Sequence, residues 1–347
     1  MEKNKKIIDE LNNLIKQIQF EIDHSGNKKD EIKNMFRLKS IKNATKIISK
    51  YPKEIKSGEQ LKDVKGVGKG VISRINEILQ QGKLEEVKLD EDSDKYLEAI
   101  NDLENVFGVG RKTAFDFVKN YNINSVEELQ KAYKEGKITL NDNIKMGLKY
   151  YNIYKQSIPR EEVFKIDTFL HNVIIKIDPE LFGIICGSYR RQQLTSNDID
   201  FLIVHPSIQT KKDLIAKKNY LKILVNILIT NGFIIDSLTS GDIENKYMGF
   251  CQLKEGNKLY PVHRLDIRYL PYDSYYAALL YFTGPGDFNR RMRLIAIEQG
   301  FMLNEYGIYI TENKGKNKII KKKLKVNSEK EIFDILGMEY LEPENRK

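Results

Sequence analysis

GSYRRQQLTSNDIDFLIV, residues 187–204, is the stretch whose reading decides the fold. The apolar run LFGIIC at 181–186 breaks at Gly187-Ser188, and the segment then enters a β-branched and aromatic run closed by His205-Pro206. Asp198 and Asp200 stand two apart in that run, so a strand presents both carboxylates on one face. Downstream, PVHRLDIRYLP at 261–271 uses the same period: Arg264, Asp266 and Arg268 share one face, Leu265 and Ile267 the other. If the two strands adjoin, three carboxylates converge beside arginines. Such a cluster is costly unless cations neutralise it, and hard oxygen donors select Mg2+ or Mn2+. Taken alone, Asp198-Ile199-Asp200 equally fits a strand edge with solvated carboxylates; the second acid-bearing strand sharpens the catalytic reading. GSYRR can begin a helix directly after a strand, where Ser188, the backbone N–H groups and Arg191 suit a polyphosphate. A nucleotidyl-transfer core is the economical account, because an attacking hydroxyl, two ions about 4 Å apart and a triphosphate must meet at one strand end.

Working outward, strands interrupted by helices predict an α/β or α+β domain from about 160 to 270, with helices at about 161–176 and 211–231 and a strand in KYMGFCQLK. Upstream the texture is helical. In IIDELNNLIKQIQFEI the apolar residues Ile7, Ile8, Leu11, Leu14, Ile15, Ile18 and Ile22 recur three and four apart, and a second helical pattern stops at Tyr51-Pro52. A further helix is expected over 144–160, ending at Ser157-Ile158-Pro159-Arg160. The last part of the chain predicts helices at about 274–282 and 288–299, a strand in NEYGIYI, a lysine-rich turn and a terminal helix at 329–337.

One pattern occurs twice in the helical part: Gly66-Val67-Gly68-Lys69-Gly70 and Gly108-Val109-Gly110-Arg111-Lys112 each precede a helix. Two glycines around one apolar residue allow a tight turn whose N–H groups face one phosphate, with Lys69, Arg111 and Lys112 adding salt-sensitive contacts. Each turn alone could be a plain helix-helix connection. A dinucleotide fold fits less well, since neither turn follows a strand. Such turns hold nucleic-acid backbone without reading sequence.

Composition agrees. The chain has 347 residues, 41% hydrophobic and 31% charged, which excludes a disulfide-stapled miniprotein and a disordered tail. Its formal charge of +9 fits a polyanion or an anionic surface as partner. Cys186 and Cys251 have no partner at metal-ligand spacing and read as buried thiols in a reducing compartment. The charged N-terminus lacks the apolar core of a secretory signal and no run is long enough to span a bilayer, so a soluble intracellular protein without membrane contact is expected.

On GSYRR, DID, MGFCQL, HRLDIRYLP, YFTG, FNRRMRLIAIEQGFMLNEY and the terminal SEKEIFDILGMEYLEPENR, with both glycine turns, the sequence resembles the family X DNA polymerases of the compact beta-like type. The resemblance implies an α+β protein in which helical DNA-binding modules with helix-hairpin-helix motifs precede a nucleotidyltransferase palm and a nucleotide-selecting domain. It implies a lyase-like gap-end domain over 1–90, a fingers-like DNA-binding domain over 91–150, the palm over 151–270 and the nucleotide-selecting domain over 271–347. The activity implied is template-directed filling of short gaps in base excision repair or end joining. Gapped or nicked DNA and deoxynucleoside triphosphates would be the partners, alongside repair proteins; the cofactors would be two Mg2+ ions or Mn2+, with a monovalent cation at the helix-hairpin-helix turns. Asp198, Asp200 and Asp266 would ligate metal, Arg264 would organise them, and Ser188 and Arg191 would hold triphosphate. Tyr281, Phe282, Thr283 and Gly284 would face the sugar, and Asn289 and Arg293 the incoming base and template, with Glu305 and Tyr306 in the segment that follows. Template-independent terminal transfer and non-enzymatic DNA-end binding are the alternatives. The short Lys254 to Lys258 connection speaks against the first, since the transferase branch has a longer loop there, and the three carboxylates speak against the second.

The chain departs from the family at several positions. Arg74 stands where beta-type enzymes carry the lysine that attacks the abasic sugar, Gly70 replaces a lysine and Ile41 an aromatic residue, so weak or absent 5'-deoxyribose-phosphate lyase activity is expected. Asn197 occupies a glycine position in the substrate site, Ser157 replaces an arginine and Gly286 a larger side chain, which together predict weaker nucleotide binding or relaxed discrimination. Gly284-Pro285 suits the cis bond that relatives form there without proline. A monomer is expected, with recruitment through the catalytic chain or a separate partner because no protein-recognition domain precedes the helical modules. A nuclear and a viral replication or virion location both remain open.

Overall fold

The computed structural model describes residues 4–153, 156–314 and 317–347, and the chain divides into two compact units, Met1–Lys149 and Tyr150–Lys347. In the first unit α1 (Lys5–Asp23), α2 (Lys28–Ser49) and α3 (Lys69–Gln81) form one helical cluster. Ile7, Leu11, Leu14 and Ile18 of α1 meet Ile41, Ala44 and Ile48 of α2 and Val71, Ile75 and Ile78 of α3, all buried. Full burial of such a side chain contributes about 1.5–3 kcal/mol, so the three- and four-residue spacing is what joins these helices. The second repeat comprises α4 (Glu91–Leu103), α5 (Arg111–Tyr121), α6 (Val126–Lys134) and α7 (Asp142–Lys149).

The helix expected over 144–160 is shorter than its sequence suggests. It stops at Lys149, and Tyr150 turns inward to stack on Phe250, ring centroids 3.8 Å apart. Tyr154 and Lys155 lie outside the described residues. Ile158 and Pro159 then form β1 (Ile158–Pro159), since a proline permits extended backbone but no continued helix.

The second unit continues through α8 (Arg160–Ile177), β2 (Phe182–Ile185), α9 (Gly187–Arg190), β3 (Thr195–Ser196), β4 (Ile199–Val204), α10 (Lys211–Ala216), α11 (Tyr220–Thr230), β5 (Ile234–Ser237), β6 (Lys246–Glu255) and β7 (Lys258–Tyr269). The helix expected over 211–231 is two helices, because the Asn219 side chain accepts the N–H of Lys222 and starts a new one. Among the described residues, a five-stranded sheet runs in the order β2-β4-β7-β6-β5, with β4 and β7 parallel and the other pairs antiparallel. Its core gathers Val163, Ile166 and Leu170 of α8 with Leu221, Leu224 and Leu228 of α11 and Phe201, Leu265 and Ile267 of the sheet.

Last come α12 (Tyr275–Thr283), α13 (Gly286–Glu298), β8 (Phe301–Asn304), β9 (Gly307–Lys314), β10 (Asn317–Leu324) and α14 (Glu329–Ile335), with β8, β9 and β10 in a three-stranded antiparallel sheet. The lysine-rich stretch expected as a turn is mostly the strand β10; its tip, residues 315–316, lies outside the described residues. No described helix is long and apolar enough to cross a membrane, and Cys186 and Cys251 are buried free thiols.

Candidate functional site

The sheet register builds the acidic centre. Parallel pairing of β4 with β7 sets Ile199 beside Leu265 and Asp200 beside Asp266, so the apolar partners enter the core while the carboxylates emerge at the strand end, with Asp198 just ahead of β4. Burial raises the carboxyl pKa of Asp200 to about 7, helped by repulsion from Asp198 and Asp266, and burial with Asp266 likewise pushes up Asp198. Arg264 relieves part of that charge. Its Nε and Nη2 donate to the two oxygens of Asp266 at 3.0 and 3.2 Å.

Gly187 and α9 close the other side. The Cys186 N–H donates to the Asp200 carbonyl at 2.8 Å, and Gly187 takes φ +56 where a Cβ would lie 2.7 Å from Asp200 Oδ2. Only glycine turns the chain there beside that carboxylate. Ser188 Oγ donates to Ser196 Oγ at 2.9 Å, and Arg191 Nη1 donates to the Thr283 carbonyl at 2.5 Å. The result is an open cleft of about 410 Å³. Its lining includes Ser188, Arg191, Asn197, Asp198 and Asp200 on one side and Tyr281, Phe282, Thr283, Gly284, Gly286, Asn289 and Arg293 on the other. Asn289 Nδ2 donates to the Tyr281 carbonyl at 2.6 Å, and Arg293 lies over the Tyr281 ring, 5.9 Å from its centroid. Glu305 and Tyr306 do not line this cleft; they bound a neighbouring cavity of about 280 Å³ with Arg268, Tyr281 and Phe282.

The acidic centre suits a divalent cation: buried, mutually repelling carboxylates supply hard oxygen donors and lack full compensation by arginine. A different group, Asp178, Glu180 and His205, has its ligand atoms within 4.8 Å of one another. It fits a metal poorly. His205 Nδ1 accepts the Ser207 N–H at 3.1 Å, so its proton sits on Nε2, facing Asp178 at 3.3 Å, while Tyr220 donates to Asp178 at 2.7 Å. That network is already closed by hydrogen bonds.

In the first unit the two glycine turns share one backbone. Gly66 and Gly108 take φ +98 and +86, where glycine is required, while Gly68 and Gly110 are extended N-caps with φ near −90 and −94. A Cβ on Gly68 or Gly110 would meet nothing within 4 Å. The second glycine of each turn therefore serves open approach from outside, not the turn geometry. Lys69 and Lys112 belong to the starts of these helices, whereas Arg111 is tied to Asp23 and Glu104 by hydrogen bonds of 2.7 to 3.0 Å.

Four family models match in succession along this architecture: a helix-hairpin-helix domain at residues 2–84, the fingers domain of DNA polymerase lambda at 101–154, the DNA polymerase beta palm at 157–272 and the DNA polymerase beta thumb at 278–347. The chain belongs to the family X DNA polymerases. It is 30% identical over 309 residues to DNA polymerase lambda of Rattus norvegicus, covering 87% of this chain and 51% of the relative. It is 32% identical over 320 residues to DNA polymerase lambda of Arabidopsis thaliana, covering 87% and 56%. DNA nucleotidylexotransferase of Xenopus laevis is 28% identical over 328 residues, covering 87% and 62%. The chain thus spans about half the length of the two lambda relatives.

Within this family X chain, the Arg74 position is a closed ionic network. Arg74 Nε donates to Glu86 Oε1, Arg74 Nη2 to Glu86 Oε2 at 3.2 Å and Arg74 Nη1 to the Gly70 carbonyl at 3.0 Å. Arg37 bridges the same Glu86 at 2.5 Å and Glu21 at 3.0 Å. Burial alone would raise the Glu86 carboxyl, but Arg74 and Arg37 outweigh it and hold it below the usual range. Sequence reasoning placed Arg268 on the face of Asp266 but gave it no role; its charge acts on Asp200 and its guanidinium lies over Phe282, 5.6 Å from the ring centroid. Its place on the same strand face as Asp266 was the available signal. Nor did sequence reasoning single out Arg190, which donates to Thr283 Oγ1 at 2.6 Å and to both oxygens of Glu329.

Proposed function

We propose that this chain is a DNA-directed DNA polymerase that fills short gaps, transferring a deoxynucleotide from its triphosphate to a primer 3' hydroxyl and releasing pyrophosphate. The observation that carries this reading is the register that sets Asp266 beside Asp200, with Asp200 and Asp198 lining the cleft together with Gly187, Ser188 and Arg191. Two Mg2+ ions, or Mn2+, bound by Asp198, Asp200 and Asp266 would activate the primer hydroxyl and neutralise the leaving phosphate oxygen. Asp266 orients the 3' hydroxyl and receives its proton as the new O–P bond forms and the bond to pyrophosphate breaks. Arg264 holds Asp266 in place, and Ser188 and Arg191 take the triphosphate. Tyr281, Phe282 and Gly284 face the sugar, while Asn289 and Arg293 face the base and template; Glu305 and Tyr306 support that wall from the adjoining cavity.

In this reading residues 1–90 hold the gap end, 91–150 hold duplex, 151–270 carry the chemistry and 271–347 select the nucleotide. The Gly66–Gly68 and Gly108–Gly110 turns contact backbone phosphates, helped by Lys69 and Lys112. The hairpin between β6 and β7 closes at Glu255 opposite Lys258, which favours templated synthesis over terminal transfer. Primer extension on a gapped duplex, with and without the template strand, tests the proposal, paired with DNA binding by Asp266→Ala. Templated extension abolished in a variant that still binds gapped DNA is expected; near-normal incorporation by that variant sinks the assignment.

A further inference from the structure

The two glycine turns share a backbone, yet the basic residue that opens each helix is used differently. Lys69 makes no ion pair among the described residues, while Arg111 gives Nε and Nη2 to Asp23 at 2.9 and 2.7 Å and Nη1 to Glu104 at 3.0 Å. The Asp23 side chain is only 5% exposed. A phosphate that drew Arg111 away would leave a buried carboxylate without its partner, a costly exchange. Arg111 is therefore poorly placed to act as a phosphate contact itself.

The pair joins the two repeats. Asp23 ends α1, whose other residues fill the core of the first repeat, and Arg111 opens α5 of the second. Beside it Phe20 of α1 meets Tyr96 of α4, and His24, the cap residue just after α1, meets both Tyr96 and Phe115 of α5, with ring centroids 5.0 to 5.7 Å apart. Lys16 and Asp94 add an exposed ion pair at 2.8 Å, which contributes little by itself. A two-pronged guanidinium–carboxylate bond fixes orientation as well as distance, and the rings exclude water around it.

We propose that Asp23 and Arg111 are positioning residues that fasten the first helix-hairpin-helix repeat to the second, so that the turns at Gly68 and Gly110 sit at a set spacing that selects gap length. The proposal rests on the reading of both turns as backbone holders. Each added unpaired nucleotide lengthens the strand between the two held phosphates. A rigid pair of turns engages few such lengths at once, whereas a loosely tethered pair engages many.

The test uses the full chain and 5'-phosphorylated DNA with gaps of one, two, five and ten nucleotides. Affinity of the unaltered chain should fall by about tenfold or more from best to longest gap, and Asp23→Asn should compress that range to about threefold while leaving primer–template without a downstream strand unchanged. The charge swap Asp23→Arg with Arg111→Asp should restore the steep profile. An unchanged profile in Asp23→Asn overturns the proposal. So does a uniform loss on every DNA in Arg111→Gln that the swap fails to rescue, which would make Arg111 a direct phosphate contact. Spin labels on Lys42→Cys and Lys134→Cys, both exposed, report the fastening without DNA. Their distance distribution should be narrow and should broaden in Asp23→Asn; equal widths overturn the fastening. If the unaltered chain binds all gaps tightly and equally, the spacing role fails alone; if it binds no gapped DNA, the proposed function fails with it.

Discussion

Asp200 of β4 and Asp266 of β7 are register partners on neighbouring parallel strands, and the same register puts Ile199 against Leu265 in the core. The sheet that buries the apolar residues is thus what forces the carboxylates together. Folding carries an electrostatic cost at this point that only protons or cations remove.

That cost has a pH signature in metal-free protein. The Asp200 carboxyl is raised from 3.8 to about 7 on folding, first by burial and then by Asp198 and Asp266. Between those values the fold holds a proton that the unfolded chain has released, so stability falls as pH rises and the full penalty is present above about 7. With EDTA, thermal unfolding should occur at lower temperature near pH 8 than near pH 5.5 through this group, and Mg2+ should raise the unfolding temperature more near pH 8. Asp200→Asn should lose most of both differences. A Mg2+ shift independent of pH and unaffected by Asp200→Asn would count against a cation at this centre.

Gly187 offers a second test. Alanine there meets a left-handed backbone and places its Cβ 2.7 Å from Asp200 Oδ2. We expect Gly187→Ala to lose about 1–3 kcal/mol of stability in denaturant titration. Single-turnover incorporation should fall by about tenfold or more, because Asp200 must move, while gapped-DNA affinity holds. Incorporation at the original rate would show that the carboxylate tolerates displacement.

A buried charge network joins α9 to α14. Glu329, 6% exposed, accepts from Arg190 at 2.5 and 3.1 Å and from Arg346 at 2.8 Å, and the Arg346 side chain is fully buried against Phe288, Phe333 and Tyr340. Glu329→Ala strands two guanidinium groups, for an expected loss of about 3–5 kcal/mol in equilibrium unfolding. A loss below about 1 kcal/mol would mean that water reaches both arginines in the variant.

Much of this site is legible in the sequence because it rests on period. Two-residue alternation gives the faces of β4 and β7, and the spacing of Ile7, Leu11, Leu14 and Ile18 gives α1. What is not legible is who pairs with whom at a distance. Arg111 reads as a phosphate contact until Asp23, remote in sequence, is seen to hold it. Glu86 carries no sequence pattern that marks it, yet Arg74 and Arg37 close on it. The break between α10 and α11 escapes for a local reason: apolar periodicity runs on through Asn219, whose cap overrides it.

The glycine turns carry a prediction that separates contact from conformation. Gly68 and Gly110 are extended and open, so Gly68→Val with Gly110→Val should fold with near-normal stability. The added side chains would stand where a phosphate approaches, so affinity for duplex and gapped DNA should fall by about tenfold or more whatever the base sequence. A salt series should show a shallower slope than in the unaltered chain. Equal affinity and slope would remove the turns from the DNA interface.

The lyase position gives the last prediction. Arginine keeps its proton at any ordinary pH, so Arg74 offers no neutral amine to an abasic sugar. Its guanidinium is also spent, on Glu86 and on the Gly70 carbonyl. Borohydride trapping on an incised abasic site should therefore be faint, while a one-nucleotide gap is filled well. Arg74→Lys alone should recover little, because Glu86 would face the new ammonium and favour its charged form, raising its pKa and keeping it from attack. Arg74→Lys with Glu86→Gln removes that carboxylate, and trapping should rise by about tenfold over the single variant. Trapped DNA and released sugar phosphate, measured in all three enzymes alongside gap filling, decide the matter. If Arg74→Lys alone traps as well as the double variant, Glu86 has no part in the block. Strong trapping by the unaltered chain that one lysine replacement within residues 1–90 abolishes would place the nucleophile elsewhere on the gap-end domain and refute the lyase deficiency.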